Sequence, residues 1–480
     1  MTVRSCAAAI LLFLVVYALG IGQAPAPGDS GSGSGPGSSI GELLGKGHPV
    51  HILYVHGIAA TGPGDSHAFL TSICRYLPGC KVPSTWNPTK RDYANFGQFK
   101  EGEQPPNYAY LGEAVWKSSV EWSASDPFVD HYLVPGSDSK SPVVVDEINW
   151  WPLVFPLKCE KIMPGEAHLA GPDAGLLDLC SHENAKNADP NRFDFYQWLP
   201  TKDADAAKKM PGEGARVNRE LKNNPLDWGF SDAMMAVGPM RELFREAMRQ
   251  LFLESVRFGS DGTASDKWKE HLHTKGSTQQ PDREFVVVSH SLGSYLAFLT
   301  INADETGAAP CNAQVQSAVQ STVQSAAQSA VPSDVQLKTG PAKEQEEDDA
   351  AQYIFERTPL LYFFANQVPL LELANLTTPG SFQSRLVKWK CLRENFQLNN
   401  STAEALSPST QPPKPPAQIV AFSDPSDLLS WYVPPIADLM VTNVTVRNTG
   451  WHWLFASPQG VHGNYAINDK EVIRVMMKGK

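Results

Sequence analysis

Six apolar runs punctuate the chain, each closed by turn-forming residues: 50–55 (VHILYV), 143–148 (VVVDEI), 285–288 (FVVV), 360–365 (LLYFFA), 418–422 (QIVAF) and 441–446 (VTNVTV). Most are continuous rather than alternating. That is the pattern of strands covered on both faces, as in a parallel sheet. Between them the period changes. Over 240–256, Leu243, Phe244, Ala247, Met248, Leu251 and Phe252 recur at helical spacing, with Arg and Glu on the opposite side. Strands alternating with helices predict an α/β fold built on a doubly wound, mostly parallel sheet.

The regular alternation is interrupted near 86–142, 151–202, 305–352 and 367–416, which read as insertions. The first is turn-rich and aromatic, and the second is rich in Pro, Gly and Asp. Within the third, residues 313–332 repeat with a period of four (VQSA, VQST, VQSA). On a helix of 3.6 residues per turn such a period drifts by about 40° per repeat, so no apolar face accumulates. A loose or disordered insert is expected there. Pro408, Pro412, Pro413, Pro415 and Pro416 mark a stiff connector.

The N-terminus has its own pattern. Arg4 precedes an apolar run, 7–19, that is short for a membrane span, and small residues follow up to Ala24. This predicts a signal peptide over 1–24, with an uncleaved anchor as the alternative. Residues 25–47 are rich in Gly, Ser and Pro and read as a flexible linker, with the folded domain, 48–480, starting near Pro49. No later segment has the length and apolarity of a membrane span, so a secreted or periplasmic location is expected. Beyond Cys6, six cysteines remain (74, 80, 159, 180, 311 and 391), none with C-x-x-C spacing. In an oxidising compartment they predict disulfides, for which nearest-neighbour pairing is one arrangement among several.

Composition adds bounds. With 480 residues, 42% of them hydrophobic and 12 tryptophans, the chain can fill the core of one large domain or of two. A net charge of −11, without a basic patch interleaved with aromatics, argues against nucleic acid as a partner. Part of the acidity is local, in Glu344–Asp349, which reads as a solvated loop.

Candidate chemistry begins at Ser289-His290-Ser291-Leu292-Gly293. A strand-like run enters it and a helix-compatible apolar run leaves it. Small residues on either side of Ser291 permit the sharp strand-turn-helix that exposes a serine oxygen at a sheet edge, the G-x-S-x-G pattern with Ser289 in place of the first glycine. The bland alternative is a helix N-cap serine in an ordinary βα unit.

On this pentapeptide and its setting the chain resembles the α/β-hydrolase serine esterase and lipase superfamily, over about 50–475 in strand order. The resemblance implies a nucleophile, an acid and a histidine in that chain order. Asp424 and Asp427 follow the run 418–422, and His452 and His462 follow 441–446. It implies Ser291 as nucleophile, Asp427 as acid with Asp424 as the alternative, and His462 as base. His452, between two tryptophans, is expected in the core. His290 points the wrong way to serve as base and is expected to pack or to touch substrate. The resemblance also implies oxyanion donors at the Leu292 and Ile58 amides, with Gly57 allowing close approach.

The implied activity is cleavage of carboxylic esters, small-molecule or lipid, through an acyl-enzyme, without cofactor or metal and rising through roughly pH 6–7 as the histidine becomes neutral. Acyl transfer by the same residues, or a non-catalytic binding protein on this fold, are the rivals. Trp150, Trp151 and Phe155 read either as pocket wall or as core. A cap is expected within 367–416, where Val368-Pro369-Leu370-Leu371 would form part of a lid. His271-x-His273 lacks the acidic or cysteine partners of a metal site. Sequons stand at Asn375, Asn399, Asn400 and Asn443 and matter only in a eukaryote.

Overall fold

Strands form where the apolar runs fall. In the computed structural model these are β1 (Val50–Val55), β4 (Val143–Asn149), β5 (Glu284–His290), β6 (Leu360–Phe364), β7 (Gln418–Ser423) and β8 (Met440–Thr445). Two more strands, β2 (Ala109–Val115) and β3 (Phe128–Val134), lie between β1 and β4 in the chain. The described residues are 39–47, 49–57, 66–78, 80–81, 109–115, 127–134, 143–154, 230–238, 240–258, 265–269, 283–301, 341–372, 382–404, 416–427, 429–436, 439–448 and 458–479. All eight strands join one sheet in the order β2-β3-β4-β1-β5-β6-β7-β8. From β4 to β8 each neighbouring pair is parallel, whereas β3 runs antiparallel to both β2 and β4. The chain is therefore an α/β protein with a mostly parallel sheet.

β2 and β3 correct the reading of 86–142 as an insertion outside the sheet. β3 escaped the apolar pattern because Asp130 and His131 stand at its centre, both fully buried. His131 finds a partner on the neighbouring strand, its Nδ1 lying 2.7 Å from Asp146 Oδ1. A polar pair in mid-strand breaks a hydrophobic run without breaking the strand, provided each group finds a partner.

Alternate side chains of the strands bury on opposite faces. Leu53, Val55, Phe285, Val287, Leu361 and Phe363 face one core, with α4 (Arg241–Arg257), α5 (Leu292–Leu299), α6 (Pro341–Glu356) and α8 (Phe382–Glu404). Ile52, Tyr54, Val286, Val288, Tyr362 and Phe364 face the other, with α1 (Ile40–Gly45), α2 (His67–Cys74) and α10 (Arg474–Lys478). Shorter helices are α3 (Ser231–Val237), α7 (Val368–Glu372) and α9 (Pro458–Gly463). The helix read over 240–256 is α4, and the apolar residues that predicted it are all buried. Each fully buried large side chain of this kind contributes about 1.5–3 kcal/mol.

Three boundaries move. Residues 39–47, read as the end of the linker, contain α1: Ser39 Oγ caps the helix by accepting from Glu42 N at 3.1 Å, and Ile40 and Leu43 are buried. The signal was the spacing Ser39-x-x-Glu42, hidden inside a Gly/Ser-rich composition. Glu344–Asp349 is not a loop but part of α6, with Glu347 fully buried. Within 367–416, α7 and α8 pack as core rather than as a cap: Val368, Leu371, Phe382, Leu386 and Trp389 all belong to the first core.

Cys74 and Cys80 form a disulfide at the end of α2, and Cys391 is disulfide-bonded as well. Asn443 spends its carboxamide on the backbone, accepting from Val433 N and donating to Val433 O, both at 2.9 Å. Among the described residues no helix is long and apolar enough to cross a membrane. Residues 1–24, where a signal peptide is expected, most of the linker, the 313–332 repeat, Phe155, His271, His273, Cys159, Cys180, Cys311, Asn375 and the prolines 408–415 lie outside the described residues.

Candidate active site

The parallel strands end at one edge of the sheet, where side chains from successive strand ends can converge. β1 runs into His56 and Gly57, β5 into Ser291, β6 into Ala365 and β7 into Asp424–Asp427, while His462 arrives on α9 beyond β8.

Ser291 stands between the last residue of β5 and the first of α5 with φ 55° and ψ −123°. For a residue carrying a Cβ that backbone costs on the order of 1–3 kcal/mol, and the surroundings must hold it. The Ser291 N–H donates to Phe364 O at 2.7 Å. Ala365, the residue just after β6, is the other described non-glycine residue at positive φ, at 51°.

Close approach explains the small residues. A Cβ on Gly293 would fall 2.5 Å from the carbonyl oxygens of both Val55 and His56, so the start of α5 abuts the end of β1. A Cβ on Gly57 would fall 2.7 Å from Ser291 Cβ. Ser289, where the glycine pattern departs, fits because its hydroxyl has partners: Ser294 Oγ at 2.9 Å and Tyr362 O at 3.4 Å.

His462 Nε2 lies 2.9 Å from Ser291 Oγ, and its Nδ1 lies 3.0 Å from each oxygen of Asp427. An ionised carboxylate only accepts, so Nδ1 carries the proton and Nε2 offers its lone pair to the serine O–H. Asp427 Oδ1 also accepts from Leu429 N at 3.0 Å, and Oδ2 accepts from Tyr465 Oη at 3.1 Å. Burial alone would raise the Asp427 pKa. The hydrogen bond and charge of His462, with the Leu429 and Tyr465 donors, overcome it and hold the carboxyl below its ordinary value.

Asp424 is turned to other work. Its Oδ1 accepts from Ser426 N at 2.8 Å and its Oδ2 from Asn448 N at 2.6 Å. It shapes the turn and ties β7 to the segment after β8. His290 Nε2 donates to His462 O at 2.7 Å, and the two rings lie 4.9 Å apart. It therefore pins the backbone of His462 rather than facing Ser291. His452 lies outside the described residues.

As the first residue of α5, Leu292 presents an N–H that no preceding helical turn occupies. Gly57 is at the position that touches the serine, and Ile58 lies outside the described residues. His56 is braced against Trp150, whose Nε1 donates to His56 O at 3.0 Å while the rings stack at 5.0 Å. Trp150 is thus a fully buried support for this turn rather than a pocket wall.

Tyr465 and Asn448 were not singled out from the sequence as site residues. The one available signal for Tyr465 is its spacing, three residues after His462 on a helical stretch. Chemically, the arrangement can take a proton from Ser291 and hold the resulting imidazolium against a carboxylate. No model of a known protein family, no curated protein and no solved structure matches the chain. The reading of the site therefore rests on its own atoms.

Proposed function

We propose that the chain is a serine hydrolase of the α/β-hydrolase type that cleaves carboxylic esters through Ser291, His462 and Asp427. The observation that carries this reading is the unbroken relay from Asp427 through His462 Nδ1 and Nε2 to Ser291 Oγ, with both contacts at 2.9–3.0 Å. The positive-φ turn at Ser291 between strand and helix supports the hydrolase version of the fold.

His462 Nε2 removes the hydroxyl proton as Ser291 Oγ bonds to the ester carbonyl carbon, and the carbonyl oxygen becomes an oxyanion. The Leu292 N–H stabilises that charge, and the resemblance implies the Ile58 N–H as the second donor. Collapse breaks the bond to the leaving alcohol, which takes the proton from His462 and departs, leaving an acyl-serine. Water then repeats the sequence, giving its proton to His462, releasing the carboxylic acid and restoring the serine. Asp427 keeps the productive tautomer and stabilises the imidazolium. The Cys74–Cys80 disulfide supports placing this activity in an oxidising compartment outside the cytosol.

A fluorophosphonate probe, which phosphonylates activated serines, tests the reading on wild type and Ser291→Ala by intact mass and peptide mapping. One adduct on Ser291, absent from the variant, together with turnover of an ester series, is expected. No adduct after hours at pH 8 would overturn it.

A further inference from the structure

Asp427 has a partner that the reaction scheme does not use. Tyr465 is fully buried on the 3-10 turn Asn464–Ile467. Its Oη lies 3.1 Å from Asp427 Oδ2 and 2.8 Å from the Asp424 amide nitrogen. The amide can only donate, so the hydroxyl accepts from Asp424 and its single proton is left for Asp427. Ring packing holds the hydroxyl in place: Phe364 stacks at 6.3 Å with 13° between planes, and His290 lies at 6.2 Å. Phe364 is also the residue whose carbonyl receives the Ser291 N–H. One tyrosine thus contacts the acid, the backbone of the acid turn and the residue that supports the nucleophile.

We propose that Tyr465 is a positioning residue for Asp427: its hydroxyl orients the carboxylate toward His462 and limits the basicity of the pair. The kinetic part of this proposal rests on the hydrolase reading above; the electrostatic part does not. Each donor on a carboxylate stabilises its charge and lowers its proton affinity. Removing the phenol proton leaves a more basic carboxylate, which stabilises the His462 imidazolium more strongly. His462 then titrates at higher pH, and the acid limb of activity moves up with it. Burial first, and the neighbouring Asp427 charge second, push the phenol far above its ordinary range. The hydroxyl therefore remains a donor at every working pH. The ionisable groups packed about the pair are Asp424, Tyr465 and His290.

The test compares wild type, Tyr465→Phe, Asp427→Asn and the double variant. The readouts are kcat, KM, the pH profile of ester hydrolysis and the His462 ring titration by NMR. Tyr465→Phe is expected to lower kcat by about 3- to 30-fold with KM nearly unchanged, and to raise both the acid limb and the His462 midpoint by roughly half a pH unit. In the Asp427→Asn background the same change is expected to have less than about a twofold effect, because the two groups act as one unit. Global 3-fluorotyrosine, a stronger donor that leaves packing intact, is expected to move the His462 midpoint the other way, which keeps the test open should Tyr465→Phe not fold. An unmoved His462 midpoint, or an equal loss with and without the Asp427 carboxylate, would overturn the proposal and reduce Tyr465 to packing. If wild type neither labels nor turns over ester while the His462 midpoint still shifts, the hydrolase reading fails and the positioning role stands.

Discussion

His462 Nε2 and Ser291 Oγ lie 2.9 Å apart although 171 residues separate them in the chain. Two features bring them together. The strand β5 and the helix α9 reach the same edge of the sheet, and His290, the neighbour of Ser291, donates to the carbonyl of His462 at 2.7 Å. Ser291 and His462 are thus joined twice, once through their side chains and once through the backbone. Two expectations follow from the geometry around this pair, and a third from a buried carboxyl elsewhere in the fold.

Asp427 and Asp424 should separate cleanly. Asp427→Asn places a carboxamide against His462 Nδ1 and favours the wrong tautomer, so kcat is expected to fall by about 10³–10⁴-fold with little loss of stability. Asp424→Asn weakens the acceptors for the Ser426 and Asn448 amides, so it is expected to cost about 1–2 kcal/mol of stability and less than about tenfold in kcat. Ester turnover, labelling rate and denaturant midpoints decide it. The opposite ranking would move the acid role to Asp424.

Two glycines should fail in different ways. Alanine at Gly293 meets backbone carbonyls of Val55 and His56 at 2.5 Å, and backbone of a central strand cannot step aside. A loss of roughly 2–3 kcal/mol is expected in urea unfolding. Alanine at Gly57 meets Ser291 Cβ at 2.7 Å and pushes on Ser291 itself. There the expected result is a fall in kcat of about 100-fold, the effect of a small misplacement of a reacting group. Equal loss of stability in both variants would show that Gly57 does not act through Ser291.

A buried carboxyl between two helices should make stability fall toward alkaline pH. Glu347 on α6 is fully buried, and burial first, then the charge of Glu246 on α4, push its pKa up to about 8, with Lys343 at 3.8 Å opposing. In the folded protein it keeps its proton at neutral pH, whereas in the unfolded chain it loses it near its ordinary 4.5. The folded pKa is the higher one, so the contribution to stability is complete below the unfolded pKa and is lost as pH rises through about 8. Urea unfolding at pH 6 and pH 9 should differ by on the order of 2 kcal/mol from this group, and Glu347→Gln should flatten the difference. A Gln variant with the wild-type slope would refute the assignment.

The fold class was readable because a strand covered on both faces must be apolar at successive positions, and β1, β4, β5, β6 and β7 carry that requirement in plain sequence. β3 was not readable, since Asp130 and His131 find their partners, Asn149 and Asp146, on a neighbouring strand that no local pattern reveals. α1 carried a capping signal in Ser39-x-x-Glu42, but its burial depends on α10, more than four hundred residues away. There Gly41 approaches the backbone of Met477.

By itself the sequence determined that strands and helices alternate, that a serine stands at a strand-to-helix turn, and that two aspartates and two histidines follow later strands. Those are consequences of local periodicity and chain order. Only the tertiary structure decided which aspartate meets His462, that His290 holds the backbone of His462, and that Tyr465 leans on Asp427. Asp424 and Asp427 differ by three positions in one turn, and local periodicity does not distinguish them; only the resemblance favoured Asp427. A hydrogen bond forms over about 3 Å and within a narrow angle. That geometry is set by how the ends of β5, β6 and β7 are packed side by side.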